Sequence, residues 1–305
     1  MTEVAVTPRS FRKTPGTHHE LLNDYGIKAR FPELDRPLAA QEMAALVEGC
    51  AGLIVGTDAV TDEVLASGPL RAVVKFGSGL DNIDIAAAQR RDVAVDSTPG
   101  ANARSVAELA IGLMLAMARS IPAHDRTVRA GKWSRRAGVE LMGKTLGLVG
   151  YGAIGREVAV IAEGLGMDVL VHDPHAEVDR AVGSLSEVLS RGDLVSLHVP
   201  LSDETRNMIG RAELAELKDD AILVNTARGG VVDEEALAVE LQSGRLRGAA
   251  FDSFATEPPE TSPLVHLDAF VASPHAGAAT AEAAQRTGIA AIERLMQLLE
   301  EDTQG

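Results

Sequence analysis

Thr145-Leu146-Gly147-Leu148-Val149-Gly150-Tyr151-Gly152-Ala153-Ile154-Gly155 decides the fold. The first five residues, apolar but for Thr145, read as a buried parallel strand. A G-x-G-x-x-G pattern follows at once, and residues 156–165 continue with helical periodicity. In isolation the glycines would spell only a turn; between a buried strand and a helix they spell a dinucleotide fingerprint. Gly150 permits the tight turn, Gly152 lets backbone approach a pyrophosphate, and Gly155 allows the helix to pack closely on the strand. The helix start at Ala153 and Ile154 offers unpaired N–H groups and a partial positive charge to the phosphates. About twenty residues on, where the fingerprint requires an acid, a second strand ends in His172-Asp173-Pro174. Asp173 is suited to accept both ribose hydroxyls and to repel a 2′-phosphate, and no arginine follows it directly. That combination points to NAD rather than NADP. The plainer reading of Asp173 is a turn residue before proline.

Working outward, six apolar runs (145–149, 168–172, 194–199, 221–225, 249–251 and 269–272) alternate with helical segments. They predict a doubly wound, Rossmann-type parallel sheet in an α/β protein. Upstream, shorter runs at 4–6, 27–29, 52–55, 72–75 and 93–95, with helices such as 39–47 and 84–90, predict a second, smaller flavodoxin-like α/β layer. Pro99-Gly100 punctuates the two, 107–118 reads as a long buried helix, and 281–299 as a terminal helix that returns to the first layer. The expected domains are therefore a discontinuous substrate-binding domain (1–99 and 279–305) and an NAD-binding domain (100–278).

With 305 residues the chain is long for one core, in keeping with two domains. A net charge of −15 argues against a nucleic-acid partner and against an anionic membrane surface, because either would need a concentrated basic face. The lone cysteine, Cys50, sits in an apolar run and reads as a core thiol; no metal site is expected. The amino terminus lacks the basic-then-apolar order of a secretory signal, and the reading is cytoplasmic.

Three short motifs follow strand runs downstream: Asn225-Thr226-Ala227-Arg228-Gly229-Gly230, Glu257-Pro258-Pro259 and Ser273-Pro274-His275. In an open parallel sheet ligands bind beyond the carboxyl ends of the strands. The Arg228 guanidinium is a fork that matches a carboxylate. Glu257 beside His275 favours the imidazolium and fixes the ring, so His275 donates a proton to a ketone in reduction and accepts one from an alcohol in oxidation. Taken singly, each is an ordinary loop residue; together they form an anion clamp and an acid/base pair. His198, in Ser196-Leu197-His198-Val199-Pro200-Leu201, is the rival histidine. Counted as the end of strand three, it is expected on the adenosine side, away from the chemistry.

The ordered set of motifs resembles the D-isomer-specific 2-hydroxyacid dehydrogenases, in their 3-phosphoglycerate-dehydrogenase-like branch, over nearly the whole chain. Its carriers also include Lys75-Phe76-Gly77-Ser78-Gly79-Leu80-Asp81-Asn82-Ile83-Asp84, Thr98-Pro99-Gly100-Ala101-Asn102, Ser105-Val106-Ala107-Glu108-Leu109, Asp252-Ser253-Phe254 and Ser273-Pro274-His275-Ala276-Gly277. The resemblance implies that Arg228 orients the substrate carboxylate and carbonyl, and that His275 and Glu257 form the acid/base dyad. It implies that Asp252 holds the nicotinamide carboxamide, with His198, Val199, Pro200, Thr205, Thr226, Ala227, His275 and Gly277 completing the cofactor's surroundings. For the substrate it implies Gly77, Ser78 and Gly79 at the carboxylate, with Asn102 close by. It also implies a homodimer joined through the cofactor domains. The segment 129–136, which holds the single tryptophan Trp133, is expected at that interface; a solvated loop is the alternative.

Two departures from the nearest relatives bear on substrate. Where 3-phosphoglycerate dehydrogenases usually place an arginine after the 52–55 strand, this chain has Gly56-Thr57. It also stops soon after the last helix, so no carboxy-terminal regulatory domain is expected. Lys75, at a strand end, is the cation left to hold a distal anionic group; a surface lysine is the bland alternative. The expected function is NAD-dependent hydride transfer to or from a small D-2-hydroxy or 2-oxo acid such as 3-phosphoglycerate, hydroxypyruvate, glyoxylate or a phosphonate. The same fold also serves NAD(H)-sensing corepressors, which remain the alternative at this point.

Overall fold

The computed structural model describes residues 1–177 and 180–301. The chain divides into two compact units, 1–102 with 278 onward, and 103–277. In chain order the first runs β1 (Thr2–Val6), α1 (Arg9–Lys13), α2 (Thr17–Asp24), β2 (Ile27–Arg30), α3 (Ala40–Val47), β3 (Gly52–Val55), α4 (Asp62–Ala66), β4 (Ala72–Lys75), α5 (Ile85–Arg90) and β5 (Ala94–Ser97). Its strands lie in the order β2-β1-β3-β4-β5, all parallel. Alternation explains the two-sided burial. Ala5, Leu53, Val55 and Val73 pack towards Met43, Val47, Val64 and Ala87 of α3 to α5. Val4, Val6, Ile54 and Val74 pack the other way, towards Phe11 and Leu22.

The second unit begins with α6 (Ala103–Ala118) and α7 (Ile121–Arg129). It continues through β6 (Thr145–Val149), α8 (Ala153–Gly164), β7 (Asp168–His172), β8 (Ala181–Val182), α9 (Leu185–Arg191), β9 (Leu194–Leu197), α10 (Arg211–Glu216), β10 (Ile222–Asn225), α11 (Glu234–Ser243), β11 (Gly248–Phe251) and β12 (Phe270–Ala272). The final helix, α12 (Ala281–Glu301), belongs to the first unit, where Ile292 and Leu295 complete the core on the Ile54 and Val74 face. It lies so close to β3 that a Cβ at Gly52 would come within 3.0 Å of the Leu295 side chain.

The second sheet has seven parallel strands in the order β12-β11-β10-β9-β6-β7-β8. Here the expected strand count needs correction. Strand three is the two-residue β8 on β7, and β9 pairs with β6 directly. His198 therefore stands at the end of a central strand, between β6 and β10, and not on the adenosine edge. Local signals fix the helix starts: Ser184 and Glu187 close a reciprocal capping box on α9, and Asp233 accepts from Ala236 N–H at the start of α11. Among the described residues no single helix is long and apolar enough to cross a membrane.

Candidate functional site

The fingerprint is built by close backbone approaches. Gly150 has φ +96°, and a Cβ there would sit 2.4 Å from the carbonyl oxygen of His198. At Gly155 it would sit 2.2 Å from the carbonyl oxygen of Gly150. Both positions are closed to any side chain by fixed backbone. Gly152, at the start of α8, is the opposite case: a Cβ there would meet nothing within 4 Å. That open space lies over the first N–H groups of the helix, where a phosphate is best received. Asp173 ties the turn to β7, accepting from Tyr151 N–H at 2.7 Å and from His175 and Ala176 N–H at 2.8 and 3.1 Å. Burial would raise its pKa, but the three amides hold it below the usual carboxylate value.

Among the described residues of this unit, two buried polar side-chain atoms have no protein partner: Thr226 Oγ1 just after β10, and His198 Nδ1 just after β9. Such orphans are unusual in a folded core and mark a place where a bound group supplies the partner. The other ring nitrogen of His198, Nε2, lies 2.9 Å from Ser196 Oγ, and burial pushes the imidazole pKa down to about 4. His198 is thus neutral at physiological pH and only partly exposed, a poor proton donor to a substrate. Thr205 shapes its own turn, donating to the Pro200 carbonyl at 2.6 Å and accepting from Ser202 N–H at 2.8 Å. Val199 packs against the core, and Pro200 is exposed.

Consecutive neighbours β10, β11 and β12 deliver the three motifs to one edge. Asn225, fully buried, folds the Arg228 loop back on itself: its amide donates to the Arg228 carbonyl at 2.9 Å, and its oxygen accepts from Ala227 N–H at 3.0 Å. Gly229 packs onto the following loop so tightly that a Cβ would lie 1.9 Å from Phe254 backbone. The Arg228 and Glu257 loops are locked together there. His275 Nδ1 lies 2.9 and 3.1 Å from the two oxygens of Glu257, which also accepts from Phe254 N–H at 3.1 Å. Both side chains remain 39% exposed, so the pair is open to a ligand. The Glu257 contact raises the pKa of His275, with burial opposing it; the charges of Glu257 and Asp252 raise it further and Arg228 lowers it. Burial pushes Glu257 upward, yet the contact with His275 and the field of Arg228 leave it below its usual value.

Asp252, 2% exposed, accepts from Ser273 Oγ and Ala276 N–H on Oδ1, and from Gly277 N–H on Oδ2. Ser273 and Asn225 carry structural roles here that their motifs alone do not announce. A polar residue at the very end of an apolar strand is the signal that would have singled them out.

In the first unit Gly77 has φ +130°, and its N–H donates to Thr98 Oγ1 at 2.8 Å, so this amide is engaged. Ser78 is exposed, and Gly79 is partly so. Asn102 lies beside Gly77. Lys75 does not extend outward as expected. It is 8% exposed, and its ammonium donates to the Gly56 carbonyl and to Asn82 Oδ1, both at 2.6 Å. Burying a lysine is costly unless it is so paired, and the pairing turns it inward to brace the loop after β3.

The profile of the D-isomer specific 2-hydroxyacid dehydrogenase NAD binding domain matches residues 111–277. The chain is 46% identical over 249 residues to a hydroxypyruvate reductase of Thermotoga maritima, covering 79% of this chain and 81% of the relative. It is 39% identical over 278 residues to a D-3-phosphoglycerate dehydrogenase of Methanocaldococcus jannaschii, covering 88% and 53%. The chain thus spans about half the length of the latter. The crystal structure of the TT0316 protein from Thermus thermophilus superposes with a TM-score of 0.89 at 36% identity, covering 98% of this chain and 97% of that one. The chain belongs to the D-isomer specific 2-hydroxyacid dehydrogenases. As in that family, its second unit carries the NAD-binding fold, and the paired glycine approaches, the open space over Gly152 and the orphaned Thr226 and His198 atoms fit a dinucleotide.

Proposed function

We propose that this dehydrogenase interconverts a small D-2-hydroxy acid and its 2-oxo acid, with NAD as cofactor. The observation that carries the reading is the His275–Glu257 contact, open to solvent, at the edge that also presents Arg228. In the proposed mechanism Arg228 binds the substrate carboxylate and orients the carbonyl, and His275 Nε2 delivers the proton to the oxygen that becomes the hydroxyl. Glu257 holds Nδ1 and stabilises the imidazolium. Ser78 and Gly79 receive the carboxylate through backbone N–H groups, with Gly77 and Asn102 shaping the loop. NAD, when bound, supplies or accepts the hydride. Gly150, Gly152, Ala153, Ile154 and Gly155 would hold its pyrophosphate, Asp173 its ribose and Asp252 its nicotinamide carboxamide, with His198, Val199, Pro200, Thr205, Thr226, Ala227 and Gly277 completing its surroundings. Asp173 favours NADH over NADPH, since a 2′-phosphate would face a carboxylate.

Hydroxypyruvate, glyoxylate and phosphorylated or phosphonate acids are the substrates to try first; the first fits the name of the Thermotoga relative. A NAD(H)-sensing corepressor is not favoured, because the relatives described are named as a reductase and a dehydrogenase. We further place the protein in the cytoplasm as a homodimer, with the segment around Trp133 at the interface. That segment has no regular structure, Trp133 is 79% exposed, and Ile121, Val128 and Met142 nearby in sequence are exposed too. Large apolar side chains left exposed suit an association surface. The test is the purified protein with NADH and a panel of 2-oxo acids, followed at the nicotinamide absorbance. Oxidation of NADH by at least one of them is expected; none across the panel would sink the reading.

A further inference from the structure

His275 has φ +51°, a left-handed conformation that residues with a side chain rarely adopt. Something must hold it there. Its own N–H donates to the Asp252 carbonyl at 2.9 Å. The Asp252 carboxylate then grips the chain on both sides of it: Ser273 Oγ donates at 2.5 Å and Ala276 N–H at 2.7 Å to Oδ1, and Gly277 N–H at 2.8 Å to Oδ2. A carboxylate offers about four acceptor sites. Three are used here, leaving one on Oδ2. Of the three donors only Ser273 is a side chain, and it precedes the histidine by two residues with Pro274 between.

We propose that Ser273 is a positioning residue for the proton transfer, acting through Asp252. Its hydroxyl fixes the Asp252 carboxylate; the carboxylate fixes the 273–277 loop; the loop aims the His275 ring so that Nδ1 meets Glu257. This inference rests on the proposed dehydrogenase reading. It adds that the residue before Pro274 must carry a hydroxyl, which an apolar residue of the same size cannot replace. The charged groups facing the ring are Glu257, Asp252 and Arg228. Losing the hydroxyl frees the loop and loosens the ring from Glu257, the contact that does most to raise the His275 pKa. That weakens the hold on the imidazolium, so the His275 proton is released at lower pH.

Ser273→Ala and Ser273→Thr in the full chain test this. Ser273→Ala is expected to lower kcat for 2-oxo acid reduction about tenfold, well short of losing the acid itself, with KM changed less than about twofold. The alkaline limb of its pH profile is expected to move down by about half a unit. Ser273→Thr restores both, which mere loss of packing would not allow. The second readout needs no turnover: NMR titration of the His275 ring in the cofactor-free protein is expected to show the same downward shift in the alanine variant. If no wild-type activity is found, the dehydrogenase reading fails, and this titration alone decides the positioning role. An unshifted His275 titration in Ser273→Ala, or a threonine variant as impaired as the alanine one, would overturn the inference.

Discussion

His275 and Glu257 shift each other's proton affinity in opposite directions, which gives the reaction a pH signature. The folded pKa of His275 lies above its ordinary value because Glu257 stabilises the imidazolium. In the proposed mechanism reduction needs that imidazolium. It is fully formed below about pH 6.5, the ordinary histidine value, and is lost as pH rises through the raised folded value. The stabilising contribution of the contact follows the same course. We expect kcat/KM for reduction to be level on the acid side and to fall as pH rises through that raised value, and oxidation to do the reverse. Reductive activity that climbs above neutral pH would contradict the assignment. His275→Ala is expected to leave NADH affinity nearly unchanged and to cost roughly two to four orders of magnitude in turnover, as measured by steady-state kinetics. His198, kept neutral by burial, contributes no limb to either profile in the physiological range. At this scale motif order singled out His275, Glu257 and Arg228, and the structure brings the first two into contact at neighbouring strand ends. The sequence misread Lys75, because a position at a strand end does not say whether a long side chain turns outward or back to brace a neighbouring loop.

Glycines govern the element scale, and two within one motif should respond in opposite ways. Gly150 is walled in by the His198 carbonyl, whereas Gly152 faces open space. Gly150→Ala adds a Cβ at a positive φ against fixed backbone, so it should destabilise the whole unit, by more than about 2 kcal/mol. Gly152→Ala should leave the melting temperature nearly unchanged and weaken NADH binding at least about tenfold, because the new methyl intrudes where the pyrophosphate approaches. Thermal unfolding and calorimetric NADH titration of both variants separate the two effects. Equal loss of stability in both would mean that the fingerprint is only a structural turn. Most strands were legible, since most centre on a short apolar run bounded by turn residues. The exception was β8: two exposed residues, Ala181 and Val182, carry no alternation to read. Missing it shifted the strand count by one and put His198 on the wrong side of β6. Only the pairing of β9 with β6 corrects that, and pairing is a long-range fact that no local pattern encodes.

For the whole molecule, the proposed dimer would make the single tryptophan a built-in reporter of assembly. Trp133 is mostly exposed in one copy of the chain, so burial against a second copy should shift its emission to shorter wavelength as concentration rises. A dimer is expected in sedimentation at micromolar concentration; a fully active monomer there would exclude the Trp133 interface. The order of synthesis follows from α12. The first sheet leaves the ribosome early, but Ile292 and Leu295, which cover its Ile54 and Val74 face, are made last. Nearly the whole second unit is translated in between, which at about 5–20 residues per second takes on the order of ten seconds. Throughout that time the nascent amino-terminal sheet shows bare apolar surface, a target for holding chaperones. A ribosome-stalled chain ending before α12 should therefore be protease-sensitive in residues 1–102 while its second unit already resists cleavage. Equal protection of both would show that the early sheet closes without its last helix.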